Sequence, residues 1–465
     1  MRSGLLLAFL ALFPAGARLS AQAPPARKPV PRPDERMKAD LLVVVAHPDD
    51  EGGVTPYLAR AIHDQHKRVA VVFLTRGGSG GNDYSREHGP ALAALREQEG
   101  RQACSALGAG NVWFLDGKDT ASQNVLNSLA NWGHGANLEA LVRIVRLTRP
   151  EVMISWLPGI FIGENHGDHQ AAGVLATEAF ELAGDPAAFP AQIAGASKRL
   201  EVYLENLTPW QTKKIYYFSD ADDQEQFRGT GPAYSVREVS PSQNKPYWRL
   251  ALDAAKPHRT QFPEEIERMS AMSDEQIAKF MEDPQHLWWS EPMTLILGKS
   301  RVKGQRTGDV FEGVAQAERA PRDCRPAEAG PPSASEATLG GPWGFYRSLW
   351  LESCLDLPAA KQPEIAVKAG TTLLVPLTIR HAKAVDLEIS VAAPAGWKVT
   401  RGEGLLRLAD EERTDLAVEI STPDPGKEEL RKLAAQEVVV RAAEGGRPAG
   451  EVRLKVLLRA SALPQ

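Results

Sequence analysis

Two short clusters of imidazole and carboxylate side chains are the parts of this sequence best suited to chemistry. The first spans residues 46–53 (AHPDDEGG) and the second spans residues 163–170 (GENHGDHQ). Carboxylates crowded beside an imidazole disfavour one another's ionisation unless a cation or another positive group lies among them. His166 and His169 are three residues apart and would face the same side of a helical turn. Together the clusters predict a divalent metal site, although each alone is compatible with a solvated loop that caps a helix or with surface histidines.

Both clusters follow apolar runs that are typical of buried strands. Such runs cover residues 41–46, 69–74, 112–115 and 152–156, and segments with helical spacing cover residues 54–66, 91–107, 138–147 and 170–183. Strands that alternate with helices predict an α/β fold, here a Rossmann-like three-layer domain with a mainly parallel sheet. Ligands of such sheets bind beyond the carboxyl ends of the strands, so we expect the loops after residues 46, 74, 115 and 156 to share one crevice.

The remainder of the chain has a different pattern. Residues 214–219 (KIYYFS) could extend the sheet, and residues 263–281 have the spacing of one helix. From about Pro358, short alternating runs separated by Gly, Pro and Asp predict an antiparallel, immunoglobulin-like β-sandwich. We therefore divide the chain from residue 38 onward into an α/β domain at 38–295, a connecting region at 296–357 and an accessory sandwich at 358–460.

The first residues have the composition of an export signal. Arg2 precedes the apolar run 4–13 (GLLLAFLALF), and a stretch of small residues ending in LSAQA follows it. We expect a signal peptide over residues 1–23, cleaved between Ala21 and Ala23, and a Pro-rich linker over residues 24–37. A membrane anchor is the alternative, but this run is about half of the ~20 residues that a span requires. The mature protein is expected to be secreted or periplasmic, without an integral membrane span.

Charge and cysteine content limit the classes of partner and fold. Lys plus Arg total 54 and Asp plus Glu total 59, which gives a formal net charge of −5. Without a basic block to neutralise a run of phosphates, nucleic acid is a poor candidate partner. Three cysteines are too few for a disulfide scaffold, and Cys324 with Cys354 is the one pairing worth testing.

The A-H-P-D-D-E motif after the first strand, followed later by H-x-x-H, resembles the zinc-dependent de-N-acetylases of the PIG-L/LmbE family. The resemblance covers roughly residues 40–290 and implies one catalytic Zn²⁺ ion, with another divalent metal as an alternative. It assigns His47, Asp50 and His169 as metal ligands, Asp49 as the general base, and His166, as an imidazolium, as the group that stabilises the oxyanion. Three mixed ligands leave one zinc position open, as hydrolysis of an amide to an acid and a free amine requires.

Other segments resemble parts of the family that contact the substrate. They are the glycine-rich loop 75–82 (TRGGSGGN), the R-E-x-E helix at 96–99 and the H-x-[ST]-Q element at 258–261. The candidate substrate contacts are Gly78, Asn82, Arg96, Trp132 and His258. The alternative for the glycine-rich loop is a flexible turn, the alternative for the R-E-x-E helix is a surface ion-pair helix, and the alternative for a tryptophan is core packing. The same choice between stacking on sugars and core packing applies to Trp156, Trp210, Trp248, Trp288 and Trp289.

An exported deacetylase would meet cell-wall or environmental amino sugars. We therefore expect an N-acetylglucosaminyl compound or another N-acetylated glycoconjugate as the substrate, ahead of non-sugar amides, and the sandwich could contact a glycan or a protein. Two histidines and one carboxylate also describe the facial triad of non-haem iron oxygenases. A third interpretation is a secreted, non-catalytic glycan-binding protein whose α/β domain carries a metal. The extra carboxylate Asp49 favours hydrolysis, because neither rival function needs a general base.

Overall fold

The computed structural model describes residues 35–121, 124–159, 166–194, 205–219, 230–314, 335–341, 344, 364–381, 383–409, 413–426, 430 and 434–460. The predicted signal peptide, most of the predicted linker and the proposed pairing of Cys324 with Cys354 lie outside these residues. Cys104 is a buried free thiol. In the described part of the chain, no helix combines the length and the apolarity needed to cross a membrane.

A six-stranded sheet forms the centre of the α/β half. Its strands are Leu41–Val45 (β1), Val69–Phe73 (β2), Asn111–Phe114 (β3), Val152–Trp156 (β4), Lys214–Phe218 (β5) and Ile296–Ser300 (β8), in the order β3-β2-β1-β4-β5-β8. The first five strands of this order run parallel, and β8 pairs antiparallel with β5. Every residue of β1, β2, β4 and β5 is buried, as expected for strands covered on both faces of the sheet. The predicted mainly parallel sheet is confirmed.

The helices that accompany the sheet form two groups. They are Thr55–Ala59 (α1), Pro90–Leu107 (α2), Val125–Trp132 (α3), His134–Thr148 (α4), Gly167–Leu182 (α5), Pro190–Ile193 (α6), Tyr247–Ala255 (α7), Pro263–Ser270 (α8) and Asp274–Phe280 (α9). Short 3-10 turns span Glu35–Met37, Asp50–Val54 and Pro284–His286, and a π-helical turn at Arg60–Asp64 continues α1. Helices α3 and α4 contact α5, which lies against β1, β4 and β5, whereas α1 and α2 contact α7.

The single helix predicted over residues 263–281 is wrong, because the chain forms two helices there. The Ser273 side chain accepts a hydrogen bond from the Gln276 N–H, and the Ser273 N–H donates to the Gln276 side chain. This reciprocal capping box starts α9 afresh after α8 has ended. Strand Ala233–Tyr234 (β6), which precedes α7, and strand Met293–Thr294 (β7), which follows α9, form a separate two-stranded ribbon.

Strands β1 and β4 are neighbours at the point where the strand order of the sheet reverses. In open α/β sheets, the crevice at such a switch point is where ligands bind. The two imidazole and carboxylate clusters follow these two strands. Helix α5 approaches the end of β4 closely because residue 173 is a glycine: a Cβ there would lie 2.4 Å from the Trp156 carbonyl oxygen. The first turn of α5, which carries His169, is thereby held beside the strand end.

The C-terminal part contains two further sheets. Its strands are Glu336–Leu339 (β9), Glu364–Lys368 (β10), Thr372–Arg380 (β11), Val385–Ala392 (β12), Lys398–Arg401 (β13), Gly404–Leu408 (β14), Arg413–Ser421 (β15), Gln436–Glu444 (β16) and Arg447–Arg459 (β17). One sheet has the order β10-β17-β16-β12-β14 and the other the order β13-β15-β11-β9. Residues of both sheets, such as Val375 and Leu387, share one hydrophobic core.

Two details of the C-terminal part differ from the prediction. The pairing of β10 with β17 is parallel, whereas the sequence pattern predicts antiparallel strands throughout. Strand β9 falls in the segment assigned to the connecting region and pairs antiparallel with β11. Both β9 and β10 are short strands at the edges of their sheets, and few residues are left to show an alternating pattern.

Candidate metal and active site

Asp50 joins the two clusters at the end of the sheet. Its Oδ2 accepts hydrogen bonds from the backbone N–H groups of Ala46 and His47 and from the Trp156 indole N–H, each at 2.9 Å. These donors fix one carboxylate oxygen and turn the other toward the histidines. Oδ1 lies 3.1 Å from Nε2 of His169 and 3.5 Å from Nδ1 of His47. The loop after β1 and the first turn of α5 therefore meet, as the topology predicts.

His47 lies among several carboxylates. Its Nε2 is 3.1 Å from Oδ1 of Asp119, in the loop after β3, and 3.3 Å from Oδ2 of Asp168, in the first turn of α5. Burial opposes protonation of His47, but the carboxylates of Asp50 and Asp119 outweigh it and raise the pKa of His47 well above its usual value. Burial likewise opposes ionisation of Asp119, and His47 outweighs it, so that the pKa of Asp119 falls to about 2. This concentration of negative charge suits a bound cation.

The donor atoms also fit a divalent metal ion in their chemistry and spacing. Ring nitrogens of His47, His166 and His169 lie within 4.8 Å of one another, and so do ligand atoms of His47, Asp119 and Asp168. Across the described residues, Oδ1 of Asp168 and Nδ1 of His169 are buried without a hydrogen-bond partner. Imidazole and carboxylate donors suit zinc and several other divalent transition metals.

The predicted ligands His47, Asp50 and His169 are brought together, and two further carboxylates join them. Asp119 and Asp168 have no place in the sequence-based ligand set. Asp168 stands inside the H-x-x-H motif, and Asp119 lies in the loop after β3, which the parallel sheet predicts to open onto the crevice. A search of every strand-end loop for carboxylates would have found both.

Asp49 has a strained backbone beside the predicted metal site. Its φ is +114°, in a region that residues with a Cβ rarely adopt. Its N–H donates to Oε2 of Glu51 at 3.0 Å, and its Oδ1 accepts a hydrogen bond from Nη2 of Arg96 at 2.9 Å. Desolvation raises the pKa of Asp49 to about 6, since it outweighs the opposing effect of the Arg96 guanidinium. A carboxylate with a pKa near neutrality is well matched to taking a proton from water.

His166 stands at the N-terminal end of α5. Its Nδ1 accepts a hydrogen bond from the Asp168 backbone N–H at 3.3 Å, which places the ring proton of the neutral form on Nε2. The ring stacks on His169, with centroids 4.0 Å apart. Desolvation, followed by the charges of His169 and His47, lowers the pKa of His166 to about 4. Burial and, after it, the two neighbouring imidazoles thus favour the neutral form of His166, whereas the resemblance implies an imidazolium.

Arg96 and His258 both reach the loop after β1, but they do different things there. The Arg96 guanidinium donates to the carbonyl oxygens of Pro48 at 2.6 Å and Gly77 at 3.1 Å, in addition to Asp49. It thereby ties two strand-end loops together, which differs from the substrate contact that the sequence predicts. His258 places Nε2 2.7 Å from Oε1 of Glu51 and lines a cavity next to Asp49.

The other three candidate substrate contacts are more scattered. Gly78 lines a small cavity that Asp119 also lines. Asn82 organises its own loop, since its Oδ1 accepts the N–H groups of Tyr84 and Ser85. Trp132 is buried at the end of α3 and lines a separate cavity of about 660 Å³, which residues of β9, β11 and β15 also line. The glycine that follows Trp132 ends α3, with φ +66°, and also lines this cavity.

Two cavities are lined by residues of the site. The first has a volume of about 410 Å³, and Asp49, Asp50 and His169 line it together with Trp156, Trp288 and Trp289. The second has a volume of about 190 Å³, and its lining includes Gly78, Ser79, Lys118 and Asp119. Trp210 and Trp248 do not line the first cavity, and they pack with the hydrophobic core, as Trp156 and Trp289 also do. Core packing, one of the two sequence-based interpretations, therefore describes these four tryptophans.

A comparison with known families agrees with this geometry. Residues 42–180 match the family described as PIG-L, GlcNAc-PI de-N-acetylase. The matched range contains both histidine and carboxylate clusters and strands β1 to β4. The chain therefore contains a PIG-L family domain, as the A-H-P-D-D-E and H-x-x-H motifs predict.

Several curated relatives are deacetylases. One is 1D-myo-inositol 2-acetamido-2-deoxy-alpha-D-glucopyranoside deacetylase 1 of Frankia alni, which is 33% identical over 188 residues, covering 37% of this chain and 59% of the relative. The 1D-myo-inositol 2-acetamido-2-deoxy-alpha-D-glucopyranoside deacetylase of Thermobifida fusca is 27% identical over 191 residues, covering 38% of this chain and 60% of the relative. This chain thus spans about three fifths of the length of these relatives.

Solved structures with some likeness to this chain include the conserved protein TT1542 from Thermus thermophilus. It aligns with a TM-score of 0.37 and 21% identity, covering 57% of this chain and 97% of that chain. N,N'-diacetylchitobiose deacetylase from Pyrococcus horikoshii aligns with a TM-score of 0.36 and 20% identity, covering 57% of this chain and 85% of that chain.

Proposed function

We propose that this chain is a metal-dependent hydrolase that removes an acyl group, acetyl in the simplest case, from the nitrogen of an amino sugar or glycoconjugate. The observation that carries the proposal is that Asp49, a strained carboxylate with a pKa of about 6, lies beside the grouped side chains of His47, Asp50 and His169. The curated relatives support the substrate class, because their names describe deacetylation of a glucosaminyl inositol.

In this proposal, His47, Asp50 and His169 hold the metal ion, which we propose to be Zn²⁺, with another divalent ion as the alternative. When bound, the ion supplies Lewis-acid chemistry, which lowers the pKa of a water molecule and polarises the amide carbonyl. Asp49, which Arg96 holds in place, takes a proton from the water that attacks the carbonyl carbon. His166 donates its Nε2–H to the carbonyl oxygen as negative charge develops there.

Completion of the reaction needs a proton on the leaving nitrogen. Protonated Asp49 returns that proton as the C–N bond breaks, so that water adds OH to the acyl carbon and H to the nitrogen. The products are a carboxylic acid and a free amine. Arg96 is a positioning residue in this scheme, because it acts through the Asp49 carboxylate and the loop carbonyls of Pro48 and Gly77.

We also propose that residues 38–295 form the catalytic domain, that residues 296–357 connect it to an accessory domain at 358–460, and that the latter is an immunoglobulin-like sandwich. The hydrophobic core shared by the two C-terminal sheets supports such a sandwich. The pairing of β9 with β11 indicates that the sandwich begins earlier than residue 358. A contact of the sandwich with a glycan or a protein, and export after removal of residues 1–23, belong to the same proposal.

The direct test is acid release by purified residues 24–465 from a panel of N-acetylated sugars and oligosaccharides, with and without a chelator. We expect chelator-sensitive release of acetate from at least one amino sugar. Cleavage confined to amides without a sugar would replace the substrate class and keep the reaction. If the protein binds metal and cleaves no amide in the panel, the proposed hydrolysis is wrong.

A further inference from the structure

The 410 Å³ cavity, which we name the acyl cavity, extends well beyond the proposed catalytic side chains. It is lined by Asp49, Asp50 and His169, and also by Ala103 and Leu107 of α2. Arg96, whose guanidinium touches Asp49, lies on the same helix. The part of α2 that lines the cavity, from Ala103 to Leu107, covers about 6 Å of helix at 1.5 Å per residue and lies two to three turns beyond Arg96.

The chemistry of the lining changes along the acyl cavity. Its polar side chains belong mainly to the loop at residues 49–55, to His169 and His258, and to Glu265. The parts contributed by α2 and α7 are alanine and leucine, at positions 103, 107, 254 and 255. Sugar hydroxyls buried against these residues would lose their hydrogen bonds to water without gaining new ones, which is unfavourable. A hydrocarbon chain has no such requirement and gains free energy from leaving water.

The smaller cavity offers the opposite chemistry. Its lining includes the polar side chains of Ser79, Lys118 and Asp119, and Asp119 also contacts His47. Hydroxyl groups can therefore find partners on this side of the site. Asp50 and His169 line the acyl cavity and Asp119 lines the smaller one, so that an amide at the site could have its two substituents in environments of different polarity.

The size of the acyl cavity points in the same direction. A methyl group has a volume on the order of that of one water molecule, about 30 Å³. The acyl cavity has a volume of about 410 Å³. The methyl group of an acetyl substituent would thus leave most of this space unused.

We propose that the acyl cavity receives the hydrocarbon chain of an N-acyl group longer than acetyl, while the amino-sugar part of the substrate lies toward Asp119. The inference rests on the proposed amide hydrolysis and narrows its substrates to amino sugars that carry a medium-length aliphatic N-acyl chain. The bond changes are those of the proposed reaction: water breaks the C–N bond, and the products are an aliphatic carboxylic acid and the free amino sugar.

The test compares the N-acetyl, N-butyryl and N-hexanoyl derivatives of glucosamine, with amine release as the readout. Each methylene that enters the acyl cavity is expected to raise kcat/KM by about fourfold. Ala103→Leu puts a larger side chain into the cavity, so we expect kcat/KM for the hexanoyl substrate to fall by about tenfold more than kcat/KM for the acetyl substrate. Ala106→Leu is the matched control, because Ala106 is exposed on the same helix.

A kcat/KM that stays constant or falls with chain length would contradict the proposed role of the acyl cavity and leave the proposed hydrolysis intact. The same holds if Ala103→Leu affects both substrates equally. If neither the acetyl nor the hexanoyl derivative is cleaved, the affinities of the protein for these two compounds, measured by calorimetry, test the acyl cavity independently of hydrolysis. Hexanoyl binding about 250-fold tighter than acetyl binding, as four methylenes at about fourfold each would give, and lost in Ala103→Leu, supports the cavity, and equal or absent binding contradicts it. Leu107→Trp replaces Ala103→Leu if the latter variant does not fold.

Discussion

At the scale of single residues, Asp49 combines a strained backbone with a side chain held by Arg96. Asparagine has nearly the same shape and still accepts a hydrogen bond at Oδ1, but it cannot take a proton from water. We expect Asp49→Asn to retain the metal and to lower kcat by about 10²- to 10⁴-fold. Amine release and elemental analysis measure these two quantities on the same preparation.

The matched control for this variant is Glu264→Gln, at an exposed position in α8. It makes the same change from carboxylate to amide away from the site, and its kcat should equal that of the wild type. An undiminished kcat in Asp49→Asn would exclude Asp49 as the base.

We expect His169 to contribute to metal affinity and to affect the reaction only through the bound metal. Its Nε2 faces Oδ1 of Asp50, and its ring is stacked on Trp156 with centroids 4.1 Å apart. Loss of an outer-shell partner weakens metal binding by about 10- to 100-fold, and loss of a ligand should weaken it further. We expect His169→Ala to lose its metal on dialysis, as measured by elemental analysis. The exposed His88→Ala is the control, and an equal metal content in both variants would remove His169 from the ligand set.

The residues of the site divide by how far apart in sequence their partners lie. His47, Asp49, Asp50, His166 and His169 all stand in two local motifs, and the sequence predicts them. Asp119 becomes part of the site because β3 is placed beside β2. The hydrogen bonds of Arg96 depend on two loops that its side chain reaches from α2. Relations of that kind are properties of the tertiary fold, so local spacing leaves them undetermined.

At the scale of elements, the R-E-x-E segment of α2 proves to be a buried ion-pair network. Glu97 contacts Nε of Arg76 at 2.6 Å and Nη2 of Arg101 at 2.8 Å. Burial alone would raise the pKa of Glu97, but the guanidinium groups outweigh it and lower the pKa to about 2. A surface ion-pair helix, the alternative considered from the sequence, therefore does not describe this segment.

This depressed pKa makes part of the stability depend on pH. The folded-state pKa lies below the unfolded value, so Glu97 contributes stability above about pH 4.5 and loses that contribution as the pH falls toward 2. The contribution at neutral pH is on the order of 3 kcal/mol. We expect the free energy of unfolding of Glu97→Gln, measured by urea titration at several pH values, to fall less steeply between pH 5 and pH 3 than that of the wild type. The exposed Glu282→Gln should keep the wild-type slope, and a wild-type slope in Glu97→Gln would contradict the assigned pKa.

Elements with uninterrupted apolar runs or regular helical spacing were predictable, whereas β9, β10 and the break between α8 and α9 were not. Strands β1 to β5 and helices α2, α4 and α5 lie close to the predicted ranges, because buried runs and helical spacing persist over their length. The break between α8 and α9 depends on one serine cap, Ser273. Strands β9 and β10 have four and five residues, and their pairing is set by the partner strands.

At the scale of the whole molecule, the proposed ligands come from segments far apart in the chain, after β1 and in α5. A metal ion that binds the folded chain and not the unfolded chain stabilises it, by about 4 kcal/mol at a free concentration 1,000 times Kd. We therefore expect a chelator to lower Tm and added Zn²⁺ to restore it, as followed by calorimetry. His169→Ala should show little of this shift. Equal shifts in wild type and variant would place the stabilising metal elsewhere.

The central claim is that one metal ion, bound by His47, Asp50 and His169, makes this chain an amide hydrolase. The most direct measurement is a titration of chelator-stripped protein with Zn²⁺ while amine release from an N-acylated glucosamine is followed. We expect no release at zero metal and a rise that levels off at one equivalent per chain. Full activity in the stripped protein, with metal absent by elemental analysis, would contradict the claim.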